Sequence, residues 1–182
     1  NFGNIMGHVT NVTNLSSLAS WTADQFDPTL TWEDIAWIKD RWKGKLILKG
    51  IMDSEDAMLA VKAGADAIII SNHGGRQLDG APSTISVLPE IVDAVNSKVE
   101  VHFDGGVRSG QDVLKALALG ADCIHIGRPY VYGLGAKGQE GVEIAIEIIK
   151  KELDLTMAMC GETNISNVGL HNLHHNPFKI IN

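Results

Sequence analysis

The feature that most limits the possible folds is a stretch that occurs twice. Ala63-Gly64-Ala65-Asp66-Ala67-Ile68-Ile69-Ile70 is echoed 56 residues later by Leu119-Gly120-Ala121-Asp122-Cys123-Ile124-His125-Ile126. Each copy joins a helix-ending glycine to a short apolar run of strand character. Lys49-Gly50 and Asp104-Gly105, 55 residues apart, occupy matching positions at strand exits. One period therefore holds two strand–helix units. Strands expected near 46–50, 67–70, 99–104 and 123–128 alternate with helices, which calls for a parallel sheet covered by helices. A TIM (β/α)8 barrel built from duplicated quarters would show such a repeat. A doubly wound open sheet is the alternative, although no Gly-x-Gly-x-x-Gly follows a first strand.

Capping residues set the helix limits. Thr31 with Asp34, and Ser109 with Asp112, have the spacing of a cap followed by an acid that reaches back to it. A helix beginning at Asp53 or Ser54 ends at Gly64. Ile35, Ile38 and Trp42 recur at helical spacing and are expected to face the core. Ile85, Leu88, Ile91, Val92 and Val95 form a second stripe. Val142, Ile146, Ile149 and Leu153 form a third, on a helix expected over 141–155. Residues 1–20, rich in Asn, Gly, Ser and Thr, read as a loop. Residues 21–161 read as the packed unit, and 162–182 as a polar, irregular tail.

In a barrel every strand's carboxyl end meets one rim, where active sites assemble. The four ends here carry Lys49; then Ser71-Asn72-His73-Gly74-Gly75-Arg76; then Asp104-Gly105-Gly106-Val107-Arg108; then Gly127-Arg128. Glycine amides and two guanidiniums on the last two ends suit a phosphate. His73 beside Arg76 pairs a tunable base with a carboxylate-clamping cation, which suits proton abstraction next to a carboxylate. His102 and His125 lie within strands and are expected to be packed, hydrogen-bonded core histidines. His8 reads as a plain loop histidine, and no paired carboxylate or cysteine accompanies the tail histidines His171, His174 and His175, so no metal is expected.

The chain's net charge of -7 argues against nucleic acid as a partner. Cys123 and Cys160 form no spacing motif, so neither a disulfide framework nor a zinc site is expected, and a reducing, cytoplasmic compartment fits. No apolar run reaches membrane-spanning length and no signal peptide is visible.

These motifs carry a resemblance. Lys49-Gly50, Ser71-Asn72-His73-Gly74-Gly75-Arg76-Gln77-Leu78-Asp79, Asp104-Gly105-Gly106-Val107-Arg108 and Ile126-Gly127-Arg128-Pro129 resemble the FMN-dependent α-hydroxy acid dehydrogenase and oxidase family, in order and spacing, from about Phe26 to Gly161. Phe26-Asp27-Pro28-Thr29-Leu30-Thr31-Trp32 is most similar to the L-lactate dehydrogenase branch. The resemblance implies oxidation of a small L-2-hydroxy acid, L-lactate first, to the 2-oxo acid with FMN as cofactor. Glycolate-type or mandelate-type oxidation, or a non-catalytic half-barrel, are the alternatives.

It also implies roles. His73 is the base, Asp104 pairs with it and orients it, and Arg76 binds the substrate carboxylate. Lys49 stabilises negative charge on the flavin, and Ser71 lies near the ribityl chain. Asp104, Gly105, Gly106, Arg108, Gly127 and Arg128 belong to the cofactor-binding set, the last two strand ends holding the phosphate. The family's barrel has eight strands, and this chain matches only the last four. A companion carrying the N-terminal half is therefore expected, either as a separate piece or as part of one longer polypeptide. Residues 1–20 would then be the remnant of a lid that touches the inner face of the membrane. A homo-oligomer, a tetramer, is expected.

Overall fold

In the computed structural model, which describes residue 9 and residues 12–174, four short strands pair in parallel in the order β1-β2-β3-β4. They are β1 (Ile47–Ile51), β2 (Ala67–Ile70), β3 (Glu100–Phe103) and β4 (Cys123–Ile124). Helices α3 (Ser54–Lys62), α4 (Thr84–Val95) and α5 (Gly110–Ala118) connect successive strands. Helix α6 (Arg128–Met159) follows the last. Two helices, α1 (Leu15–Asp24) and α2 (Trp32–Trp42), precede the sheet.

The repeated Gly-Ala-Asp has a mechanical meaning. The Asp66 carboxylate accepts the Leu46 backbone N–H at 2.9 Å, and Asp122 accepts that of Val101 at 2.8 Å. In the same two places the aspartate's own N–H donates to the carbonyl of Leu46 or Val101, at 2.8 and 2.7 Å. Each helix thus ends by clamping the next strand to the start of its neighbour. Asp66 additionally pairs with Lys39, and with Lys45 at 3.0 Å. Those partners hold its carboxyl well below the ordinary value of 3.8, the Lys39 hydrogen bond contributing most.

Side chains alternate across a strand, so the sheet has two unlike faces. Ile68, Ile70, Val101 and Phe103 point toward the helices and are almost fully buried against Ala57, Ala60, Leu88, Ile91, Val95 and Ala116. The other face carries Ile47, Lys49, Ile69, His102 and Cys123. Ile47 is 45% exposed there, and Lys49 is exposed too.

Four expectations need correction. The segment read as loop over 1–20 contains the start of α1, whose cap Asn14 accepts the Ser17 N–H while Ser17 reaches back to the Asn14 N–H; His8 lies outside the described residues. The Ile35–Ile38–Trp42 stripe of α2 does not face the core: the helix has no buried residue, and Trp42 is 62% exposed. Its periodic apolar residues lack an opposing layer among the described residues. The helix expected over 141–155 begins at Arg128, directly after the last strand's exit, and kinks at Lys137–Gly138; Ile146 on its expected stripe is exposed. The tail after Gly161 forms two 3-10 turns, Ile165–Asn167 and Leu170–Asn172. Glu162 holds it, accepting from Asn172 Nδ2 at 2.9 Å and lying 2.8 Å from His171 Nε2. His171 therefore does have a carboxylate beside it; His175 lies outside the described residues.

Candidate active site

All four strand exits border one cleft of about 490 Å³, within the range of ~300–1,000 Å³ usual for cofactor and small-molecule sites. Lys49, His73, Arg76, Asp104, Gly105, Gly106, Arg108, Gly127 and Arg128 all line it. Sequence reading gave no site role to Ile69, Pro129 and Val131, which also line it. Alternation from Lys49 and the position after Arg128 are the signals that would have found the first two.

Lys49 and Gly50 lie near the end of β1, where its register with β2 shifts between Lys49 and Ile51. Gly50 has φ +98°, and a side chain there would come within 3.2 Å of His73 Cε1. Only glycine both adopts that dihedral readily and leaves the imidazole its seat. His73 itself has φ 55°, an uncommon conformation for a residue with a side chain and one found at sites that hold a group in a fixed aim.

Ser71 is fully buried and acts as a hub rather than a rim residue. Its hydroxyl accepts from Lys49 Nζ at 2.9 Å and from the His73 backbone N–H at 3.2 Å. Lys49 Nζ also lies 3.4 Å from Asp104 Oδ2. The expected pairing of Asp104 with His73 is therefore not what the structure shows. The Lys49 ammonium, reaching across the open face, takes the Asp104 carboxylate, while the His73 ring rests over Gly50.

On the far side of the cleft, Gly105 (φ +104°) turns the chain against Thr84. A Cβ at residue 105 would lie 2.5 Å from Thr84 Oγ1. A Cβ at Gly106 or Gly127 would meet nothing within 4 Å, so their backbone stands open to the cleft. Helix α6 starts at Arg128 with Pro129 in its first turn, aiming a helix N-terminus at this region. Arg128 Nη2 donates to the Gly74 carbonyl at 3.0 Å, tying the last strand exit to the His73 loop. Among the described residues, the guanidiniums of Arg76, Arg108 and Arg128 make no ion pair with a carboxylate. Three cations without counter-charges, beside open glycine backbone and a helix N-terminus, fit a phosphate and a carboxylate.

The two strand histidines meet below this rim. His102 is 8% exposed, with Nδ1 3.1 Å from His125 Nε2 and Nε2 3.2 Å from a Glu100 oxygen. His125 also lines the cleft floor, so it is not wholly a core residue. Burial first, then the His102 ring, holds the His125 pKa below 6.5, against an opposing pull from Asp104.

Comparison with known proteins agrees with this geometry. The family described as FMN-dependent dehydrogenase matches residues 3–175. A mouse (Mus musculus) protein named 2-hydroxyacid oxidase 1 is 49% identical over 165 residues, covering 91% of this chain and 45% of its own length. L-lactate dehydrogenase of Stenotrophomonas maltophilia (strain R551-3) is 45% identical over 175 residues, or 96% of this chain and 46% of that protein. A crystal structure of mandelate oxidase with (S)-4-hydroxymandelic acid superposes with TM-score 0.79 at 46% identity, over 84% of this chain and 42% of that one. The structure of the monotopic membrane protein (S)-mandelate dehydrogenase does so with TM-score 0.81 at 38% identity, over 90% and 43%. The chain spans under half the length of these relatives, and its four parallel βα units are part of a TIM barrel. It belongs to the FMN-dependent dehydrogenase family.

Proposed function

We propose that this chain forms the catalytic side of an enzyme that oxidises an L-2-hydroxy acid, L-lactate first among candidates, to the 2-oxo acid. The observation that carries the reading is that one loop sends both His73 and Arg76 into the cleft that Lys49, Arg108 and Arg128 also line. Arg76 would clamp the substrate carboxylate with two parallel hydrogen bonds. His73 would take the hydroxyl proton from the neighbouring carbon. Gly106, Arg108, Gly127 and Arg128 would hold the FMN phosphate, and Lys49 would lie along the ring system's electron-rich edge. FMN, when bound, supplies the two-electron acceptor. Asp104 positions Lys49 by ion pairing and reaches His73 only through that shared neighbourhood.

L-lactate is favoured by the Phe26–Trp32 wording and by the L-lactate dehydrogenases among the relatives. A relative named 2-hydroxyacid oxidase and the mandelate oxidase structures keep glycolate-type and mandelate-type acids as the competing substrates. A parallel sheet is normally covered on both faces. The exposed Ile47 and Lys49 support a reading in which further strands of the barrel, on the same or another polypeptide, close over the open face. Residues 1–20, which include the start of α1, would belong to a lid near that closure. No helix among the described residues is long and apolar enough to cross a membrane. A solved relative described as a monotopic membrane protein supports surface contact for the lid.

The test is anaerobic mixing of the yellow, flavin-loaded protein with L-lactate, glycolate and (S)-mandelate, with intact mass measured on the same sample. Bleaching fastest with L-lactate supports the full reading. Bleaching by another of the three moves the substrate, and none with any 2-hydroxy acid overturns the oxidation.

A further inference from the structure

Two histidines and a cysteine with no sequence spacing in common converge on the open face. His102 and Cys123 are direct partners in the β3–β4 register, and His125 follows Cys123 by two residues, so all three side chains share that face. One ligand atom from each lies within 4.8 Å of the other two. The two facing ring nitrogens are 3.1 Å apart, close to the separation of two nitrogens on one tetrahedral ion with bonds of about 2.0–2.1 Å. We propose that His102 Nδ1, His125 Nε2 and Cys123 Sγ bind a borderline-soft divalent transition-metal ion of the zinc class. Thiolate and imidazole together select such an ion over magnesium or calcium.

Glu100 gives the cluster its second layer. Its carboxylate accepts from His102 Nε2–H, which leaves the Nδ1 lone pair free to donate, the arrangement typical of metal-bound histidines. Without metal, His125 Nε2–H fills that gap as a hydrogen bond to Nδ1. On binding, His125 carries its proton on Nδ1 instead, Cys123 loses its thiol proton to water, and three lone pairs enter the ion's coordination sphere. One proton is released per ion. The charges then cancel: two positive on the ion, one negative on sulfur and one on Glu100. Three protein ligands leave a fourth position for water or a group from a neighbouring strand. The site sits beneath the flavin-type cleft, with His125 in its floor, and does not depend on which acid the enzyme oxidises.

The experiment is titration of the purified protein with Zn²⁺ alone by calorimetry in two buffers of different ionisation enthalpy. Titration with Co²⁺ follows, read in the red, where oxidised flavin is transparent. The expected result is one ion per chain, one proton released, and cobalt bands of tetrahedral intensity that Zn²⁺ abolishes. Glu100→Gln should weaken binding by about 10–100-fold, and Cys123→Ser by more. Cys160→Ser, which removes the other cysteine, should bind as the parent does. Should Cys123→Ser fail to fold, zinc X-ray absorption on the parent protein decides, with one sulfur and two imidazole nitrogens expected. No stoichiometric binding, coordination without sulfur, or unchanged affinity in a folded Cys123→Ser each overturns the proposal and leaves a hydrogen-bonded histidine pair.

Discussion

The same four strands end very differently at their two ends. At the amino end Asp66 and Asp122 are engaged by the chain's own groups: each carboxylate accepts a backbone N–H from the neighbouring strand, and Asp66 adds two lysines. At the carboxyl end Arg76, Arg108 and Arg128 have no carboxylate partner among the described residues, and His73 holds an uncommon backbone conformation. The first end satisfies its own polar groups, and so it adds stability. The second presents exposed guanidiniums to the cleft, available to a phosphate or carboxylate ligand. The contrast predicts that substitutions at the two ends separate cleanly into stability and chemistry.

The largest effect is expected at the carboxyl end. His73→Gln should slow flavin reduction by L-lactate about 10²–10⁴-fold, the worth of a positioned base. Thermal stability should stay within about 0.5 kcal/mol, as at most exposed positions. A stopped-flow rate within tenfold of the parent would remove His73 as base.

Next comes the cofactor. Substituting Arg108 and Arg128 together by Gln removes two charged hydrogen-bond donors, each worth about 1.5–3 kcal/mol. Flavin affinity should drop at least about 100-fold, by gel filtration and fluorescence, with the circular dichroism spectrum intact. A double variant that keeps its flavin would take phosphate binding away from these residues.

At the amino end the expectation reverses. Asp122→Ala strands the Val101 N–H and should cost roughly 1–3 kcal/mol in urea unfolding, with the rate of flavin reduction unchanged. A changed rate would break the division between the ends.

The smallest effect is confined to acid. The Asp66 carboxyl is depressed in the folded chain, so its stabilisation is complete above 3.8, its ordinary value, and fades as pH falls below that. Comparing Tm of the parent with Asp66→Asn, the gap should be constant from pH 7 to about 4 and close below it. High salt should shrink the gap, because Lys45 is exposed and its pairing is screened.

How much of this was legible depended on whether a signal runs along one segment or across several. The duplicated Gly-Ala-Asp, the caps at Asp53 and Ser109, and the glycines after β3 act within a few residues. They located the sheet, the helices and the rim. Contacts between strands did not show. Alternation says that Asp104 and Lys49 share a face, but not that the ammonium reaches Asp104 while His73 rests over Gly50. Cys123 looked isolated because the third member of its cluster, His102, is brought to it and to His125 by strand register, not by spacing. The α2 stripe misled for a different reason. Periodicity names an apolar side, yet burial needs a second surface, and Trp37 and Trp42 find none among the described residues; Arg41 stacks over Trp37 instead.

Strand length has a consequence of its own. Between Asp66 and Ser71 lie the four residues of β2, about 13 Å at roughly 3.3 Å per residue. That span exceeds the ~8 Å over which exposed charges feel one another at physiological ionic strength. The strand therefore works as an insulator. Lysines and aspartates at its entrance can be exchanged, added or lost without altering the field inside the cleft. A lineage under pressure to become hardier would find room there, while the mouth of the cleft stays as the chemistry needs it.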